Sequence, residues 1–257
     1  MPNDPAFPPM PAATLPEAPP RRPGPGWGET ILIIAAYFAL QFILGGGLAW
    51  LSQSLAKAFP DNVPGAGDRL VIVVILTLAG AAAVTLSLVT RRWGALLREG
   101  GPAGFGFTPP TGVQMVFGAV LGIVAPVIGG LLTQMLANGH EVSQSVSQLA
   151  DNAHVGMRVA LLPIAILVGP LVEEVLFRGA LLALLRTRFG DGWAIALSAV
   201  FFGVIHLPDL GGLWYAVPNL ILVGAFCAWL RVRSGSIWPA LACHAANNAL
   251  ATMAWFS

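Results

Sequence analysis

The feature that most constrains this chain is a series of apolar runs long enough to cross a lipid bilayer. A helix needs about 20 predominantly apolar residues to span the hydrocarbon core. Runs of that kind lie at 30–52, 68–90, 112–136, 158–187, 191–207, 212–230 and 236–256. Charged residues make up 10% of the chain, against about 25% in an average soluble domain. The expected fold is all-α: a polytopic transmembrane bundle of seven or eight helices. The fourth run is too long for one straight crossing, and Gly169-Pro170 is expected to kink or break it. The fifth is short and is expected to tilt or to lie among its neighbours.

Residues 1–29 are a different material. Ten of the 21 prolines fall there, with no helical periodicity, which reads as a disordered, partly polyproline tail. It lacks the basic start and short apolar stretch of a cleavable signal peptide, so the first span is expected to remain as an anchor. Residues 30–257 are then a membrane-embedded domain whose polar motifs lie between about 158 and 256. The polar segment 140–157 reads as a loop or surface helix.

Orientation follows from the basic residues. With the N-terminus inside, the cytoplasmic loops hold Arg21, Arg22, Arg91, Arg92, Arg98, Arg186, Arg188, Arg231 and Arg233, and the outer loops hold Lys57, Arg69 and Arg158. This is the bias expected of cytoplasmic loops. An eighth crossing, in 140–157 or in the long fourth run, would change the count. A net charge of +1 gives no reason to invoke nucleic acid. The two cysteines, Cys227 and Cys243, offer neither a disulfide framework nor a CxxC metal pair.

Against this background three polar groups stand out. Glu173 and Glu174 are the acidic residues well inside a span, and Arg178 is its basic counterpart. Intramembrane ionisable groups are rare and usually face a bundle interior or a wet cavity. On a helix Glu174 and Arg178 are i,i+4 neighbours and can pair. Glu173 lies about 100° round the helix from Glu174 and need not share that pair. Two readings follow from these residues alone: one structural ion cluster, or a structural Glu174–Arg178 pair beside a chemically active Glu173.

Two further motifs lie on other spans. The fifth ends in 202-FGVIH-206, placing Phe202 and His206 on one face, and the seventh contains 244-HAANN-248, placing His244 and Asn248 likewise. Depth shows whether they can meet. By helical rise, Glu173 is ~22 Å from Arg188, His206 ~22 Å from Asp191 and His244 ~16 Å from Arg233. The chain reverses direction between spans, yet the groups arrive at similar levels, which favours one shared intramembrane site.

A glutamate and a histidine suffice to activate water by general base catalysis. Asparagine and a second histidine can donate hydrogen bonds to the oxyanion formed at an attacked carbonyl. No GxSxG elbow is present, and neither cysteine has the setting of a nucleophile. Zinc is the competing chemistry, since Glu173, His206 and His244 form a two-His, one-carboxylate set, although HExxH is absent. A proton-coupled transporter or a catalytically silent immunity or scaffold protein is the rival from another class. No inverted repeat supports the transporter.

The three motifs, 173-EEVLFR-178, 202-FGVIH-206 and 244-HAANN-248, resemble EExxxR, FxxxH and HxxxN of the CPBP intramembrane proteases. That family includes type II CAAX prenyl endopeptidases and bacteriocin-processing and abortive-infection proteins. FRGALLALL after the first motif and RVRSGSIWPALACHAANN around the third are also similar, and 105-FGFTPP-110 weakly echoes the family's linker. The resemblance covers about residues 160–250 and implies an intramembrane endopeptidase with a peptide or membrane-protein substrate and an eight-helix core. It implies that Glu173, assisted by His206, activates the attacking water. His244 and Asn248 would line the oxyanion site, while Glu174 and Arg178, with Phe202, support the architecture. It further implies a glutamic mechanism with no cofactor, zinc being the alternative. The expected location is a bacterial inner membrane.

Overall fold

The computed structural model describes residues 24–139 and 152–256, and the described residues form helices and connecting turns without strands. Most of the proline-rich segment and most of 140–157 lie outside the described residues. The first three helices are α1 (Trp27–Ala58), α2 (Ala66–Trp93) and α3 (Gly112–Ala137). A capping box opens α3: Thr111 Oγ1 accepts from the Gln114 amide, and Gln114 Oε1 accepts from the Thr111 amide. A left-handed Asn138 closes it.

The fourth run is one long, distorted rod. It comprises α4 (Val155–Pro163), a π-helical turn (Ile164–Val168), α5 (Gly169–Glu174), a second π-helical stretch (Val175–Leu181) and the start of α6 (Leu182–Ile205). At Gly169-Pro170, where the sequence predicts a kink or a break, the chain does not break but carries a π-helical distortion immediately before the pair. Gly169 keeps helical angles (φ −57°, ψ −58°). The π-turn just before it widens the backbone, and Pro170 sits in the first turn of α5, where a missing N–H costs little. The sharp bend falls instead inside α6 at Gly190 (φ 76°, ψ 174°), a positive-φ conformation suited to glycine. Beyond it the chain doubles back, so that Ser198 Oγ donates to the Phe177 carbonyl. Then follow α7 (Val217–Ser234) and α8 (Trp238–Met253).

Among the described residues five stretches are long and apolar enough to cross a membrane: Trp27–Ala58, Ala66–Leu96, Gly112–Ala137, Val155–Ile205 and Trp214–Ser234. The sequence predicts seven. Val155–Ile205 contains two of them, joined through Gly190, and α8 has 16 residues, short of a full crossing.

Small residues let the helices approach closely, as is usual where lipid removes the hydrophobic drive between helices. A Cβ on Gly118 or Gly122 of α3 would run into the Pro239 or Cys243 carbonyl of α8. One on Gly203 of α6 would meet Ile221 of α7. Large apolar side chains such as Leu32, Phe42 and Ile43 on α1, and Val127 and Leu131 on α3, point outward. That surface suits lipid.

The charged residues sort to the two ends of the bundle. At one end Arg92 pairs with Glu29 (2.6 Å) and Arg186 with Asp191 (2.7 Å). The buried Arg231 guanidinium there donates to the carbonyls of Gly100, Gly104 and Phe105. Gly106 (φ 81°) lies so close to that guanidinium that a side chain would collide with it. At the other end His154 is tied to Asp68 (2.8 Å), and Arg158 Nη1 donates to the Trp255 carbonyl (2.6 Å).

Candidate active site

The polar motifs converge in the middle of the bundle. Glu174 and Arg178 are wholly buried and pair at 3.3 Å (Oε2 to Nε). Arg178 Nη2 donates to the Gly224 carbonyl (3.0 Å), and its guanidinium lies 4.5 Å from the centre of the Phe202 ring. The π-helical stretch that follows Glu174 carries Arg178 under α7, where that carbonyl is available. Glu174 has a second partner that the sequence does not disclose: its Oε1 lies 3.0 Å from His244 Nδ1.

Glu173 faces the other way. Its Oε2 is 3.6 Å from His206 Nε2 and 3.7 Å from His244 Nε2. Both are too long for a direct hydrogen bond, and a polar gap of this size is where a bridging water fits. The far nitrogen of each ring is already committed. His206 Nδ1 lies 2.6 Å from the Phe202 carbonyl, an acceptor only, so Nδ1 carries a proton and donates. His244 Nδ1 donates in the same way to the Glu174 carboxylate. Both Nε2 atoms are thereby oriented toward one Glu173 oxygen. Phe202 packs between the rings, 4.7 Å from His206 and 5.5 Å from His244 between ring centres.

Asn248 lies one turn beyond His244. Its Nδ2 donates to the Ala165 carbonyl (2.9 Å) in the π-turn, and its Oδ1 accepts from Asn247 Nδ2 (3.2 Å). A π-turn displaces backbone carbonyls from their usual donors, and Asn248 serves one of them. A carboxamide carries two N–H donors, so one remains beside the site.

A cavity of about 640 Å³ holds this constellation, with Glu173, Phe202, His206, His244 and Asn248 among its lining residues. The rest of the wall comes from every helix of the bundle, including Tyr37 and Gln41 of α1 and Thr77 of α2. Sequence reasoning singles out none of these three, because a lone tyrosine or threonine in an apolar run carries no pattern. Asn219 of α7 also lines the cavity, with its Oδ1 seated where a Gly129 side chain would otherwise stand. Its signal was legible as an isolated amide within an apolar run. Asp209, in the turn after α6, lies on the rim.

Residues 155–250 match the family model described as type II CAAX prenyl endopeptidase Rce1-like. Over this segment the chain is similar to the Rce1-like family. The segment runs from the first residue of α4 to within three residues of the end of α8 and includes all three motifs. No curated protein and no solved structure matches the chain. The family so described is one of CAAX-type prenyl endopeptidases, which act on peptide or protein substrates. α1 to α3 lie outside the matched segment, yet they complete the Rce1-like cavity wall through Tyr37, Thr77 and Pro126.

Two histidines and a carboxylate are also a ligand set for a metal. Here both Nε2 atoms face one oxygen of Glu173. Among the described residues no group of three or more His, Cys, Asp or Glu side chains is arranged to hold a metal ion.

Proposed function

We propose that the protein is an intramembrane endopeptidase of the glutamic type, with Glu173 as general base. The observation that carries this reading is the convergence of His206 Nε2 and His244 Nε2 on a single Glu173 oxygen. A water touching all three takes the place of a direct contact. Glu173 removes one proton from that water as its oxygen bonds to the carbonyl carbon of the scissile peptide. The carbonyl π electrons move to the oxygen, forming a tetrahedral oxyanion. Asn248, through its second N–H, and His244, through Nε2 when protonated, donate to it; each such donor is worth roughly 10²–10³ in rate. Collapse of the intermediate expels the amine, which takes up the proton held by Glu173, with His206 relaying it. The Phe202 carbonyl fixes the His206 ring, and Glu174 fixes that of His244.

The arginine-rich end supports an N-in orientation, and a bacterial inner membrane is the proposed location. The test is cleavage of peptide or membrane-protein substrates by purified protein in lipid. Glu173→Gln and His206→Ala should each abolish cleavage while the protein remains folded. Normal cleavage by both variants would end the proposal. Exhaustive metal removal, verified by elemental analysis, should leave activity intact; restoration of lost activity by zinc would replace the glutamic reading with a metal one.

A further inference from the structure

The cavity wall carries polar atoms that the mechanism above does not use. Thr77 Oγ1 of α2, Asn219 Oδ1 of α7 and Asn247 Oδ1 of α8 belong to lining residues. Each of these oxygens is buried with no hydrogen-bond partner among the described residues. Buried polar atoms are paired in the great majority of cases, so a group of exceptions beside an active site calls for a reason. Asn247 has a task within the protein: its Nδ2 donates to Asn248 Oδ1 (3.2 Å) and so fixes the plane of that side chain. Thr77 packs against Gly45, where α1 and α2 meet. The Asn219 carboxamide makes no hydrogen bond to any described residue. An amide in an apolar helix with no partner is expensive to keep, and the fold gives nothing back for it.

Contacts between helices fix its height in the bundle. A Cβ on Gly203 of α6 would meet Val217 and Ile221, and one on Gly224 of α7 would meet Ala199 and Phe202. α6 and α7 are therefore antiparallel there, and Asn219 stands about two residues, or ~3 Å, from the level of His206. A second pair of helices gives the same answer. Gly118 of α3 abuts Pro239 of α8 and Gly122 abuts Cys243, so α3 and α8 run parallel. Gly129, with Asn219 seated on it, then lies about two residues, or ~3 Å, beyond Asn248. Gly129 also fixes how the carboxamide points. Asn219 Oδ1 takes the space of a Gly129 side chain, against a Cα–H, a weak donor that suits an oxygen rather than an N–H. The other arm, Nδ2 with its two donors, is left to the cavity that Asn219 lines.

We infer that Asn219 is a substrate-binding residue whose Nδ2 donates to the peptide carbonyl next to the scissile bond. This rests on the peptidase reading above and deepens it. A peptide bond is open to attack where the substrate is unwound, and unwinding in an apolar site strips its carbonyls of their helical partners. The carbonyl under attack is met by His244 and Asn248. Its neighbour, about 3.3 Å further along an extended chain, needs a donor of its own. Asn219, ~3 Å beyond Asn248, stands at that spacing. Recognition through a backbone carbonyl is blind to side chains, so Asn219 favours an extended segment over any particular residue.

The test uses the full chain in lipid nanodiscs. The probe is the fastest-cut member of a proteome-derived peptide library, its cleavage site read by mass spectrometry. Asn219→Ala should raise the KM for this probe about tenfold, the worth of one such hydrogen bond, with kcat nearly unchanged. It should melt within about 3 °C of the parent, since the carboxamide gives up no bond within the protein. Asn219→Leu keeps the volume and should behave alike, which removes an emptied space as the cause. The probe is then resynthesised with an (E)-alkene replacing, in turn, each peptide group that flanks the scissile one. At one position the parent should lose about tenfold in kcat/KM and Asn219→Ala nothing further, because that pair is already broken. An unchanged KM in both variants, or equal losses from the alkene in parent and variant at every position, overturns the inference. So does a KM change that comes only with a melting temperature lowered by more than about 6 °C. In each of these outcomes the parent still cuts, and the peptidase reading stands. A parent that cuts no member of the library ends that reading, and this inference with it.

Discussion

Glu173 and Glu174 are adjacent and chemically identical, yet replacing each with glutamine should have opposite consequences. Glu174 is wholly buried, 3.3 Å from Arg178 Nε and 3.0 Å from His244 Nδ1. At that separation and an effective dielectric near 20, the attraction between Glu174 and Arg178 is about 5 kcal/mol. Losing the carboxylate leaves the guanidinium in the bundle against the Gly224 carbonyl and the Phe202 ring. Breaking one side of a buried ion pair typically costs about 3–5 kcal/mol, so the two figures agree. At about 2–4 °C per kcal/mol for a chain of this size, Glu174→Gln should lower the melting temperature by about 6–20 °C. Glu173 has no buried cation within hydrogen-bonding distance to strand, so Glu173→Gln should melt within about 3 °C of the parent while losing cleavage. Intrinsic fluorescence of the eight tryptophans during heating in one detergent reads both variants. Adding Arg178→Met to Glu174→Gln should recover most of the loss, since no charge is then left unpaired. The reasoning is refuted if Glu174→Gln melts with the parent, or if Glu173→Gln is the less stable of the two.

Other consequences follow from the surrounding structure. Arg231→Lys should destabilise by about 2 kcal/mol or more, because one ammonium cannot serve three carbonyls spaced for a guanidinium. Faster hydrogen exchange at the Phe105 and Phe107 amides would report the loosened loop; unchanged exchange would contradict it. Gly179→Ala places a methyl group against the buried Phe105 ring and should cost about 1–3 kcal/mol, read as a lower melting temperature. Asp209 has its carboxyl pushed above the usual carboxylate range by partial burial, with His206 pulling it down and Glu173 pushing it up. A raised folded-state value means that the native state holds its proton longer than the unfolded chain. Stability is therefore lost as pH rises through the interval between the two values. Asp209→Asn should raise the melting temperature at pH 7 and give no gain below about pH 3, where the acid is neutral in both states; equal gains at both would reject this account.

The membrane bundle and the cast of its polar residues were legible in the sequence because lipid makes such residues conspicuous. Twenty-residue apolar runs report the bilayer's thickness, and a charge within one advertises a cavity or a partner. Helical spacing was also enough to separate Glu174, paired with Arg178, from Glu173. What spacing along one helix does not contain is which helices touch. The hold of Glu174 on His244 arises between residues seventy positions apart. The Asn248 bond to Ala165 exists because a π-turn has freed a carbonyl, just where local propensity reads a break at Gly169-Pro170. Propensity marks proline as a breaker, but the packed bundle absorbs it by widening one turn. The course of the cavity wall is likewise tertiary. Apolar residues read alike whether they plug a bundle, as Phe105 and Ile237 do, or line the cavity, as Phe38 and Val74 do. Only the packing of all the helices decides which of them face the site.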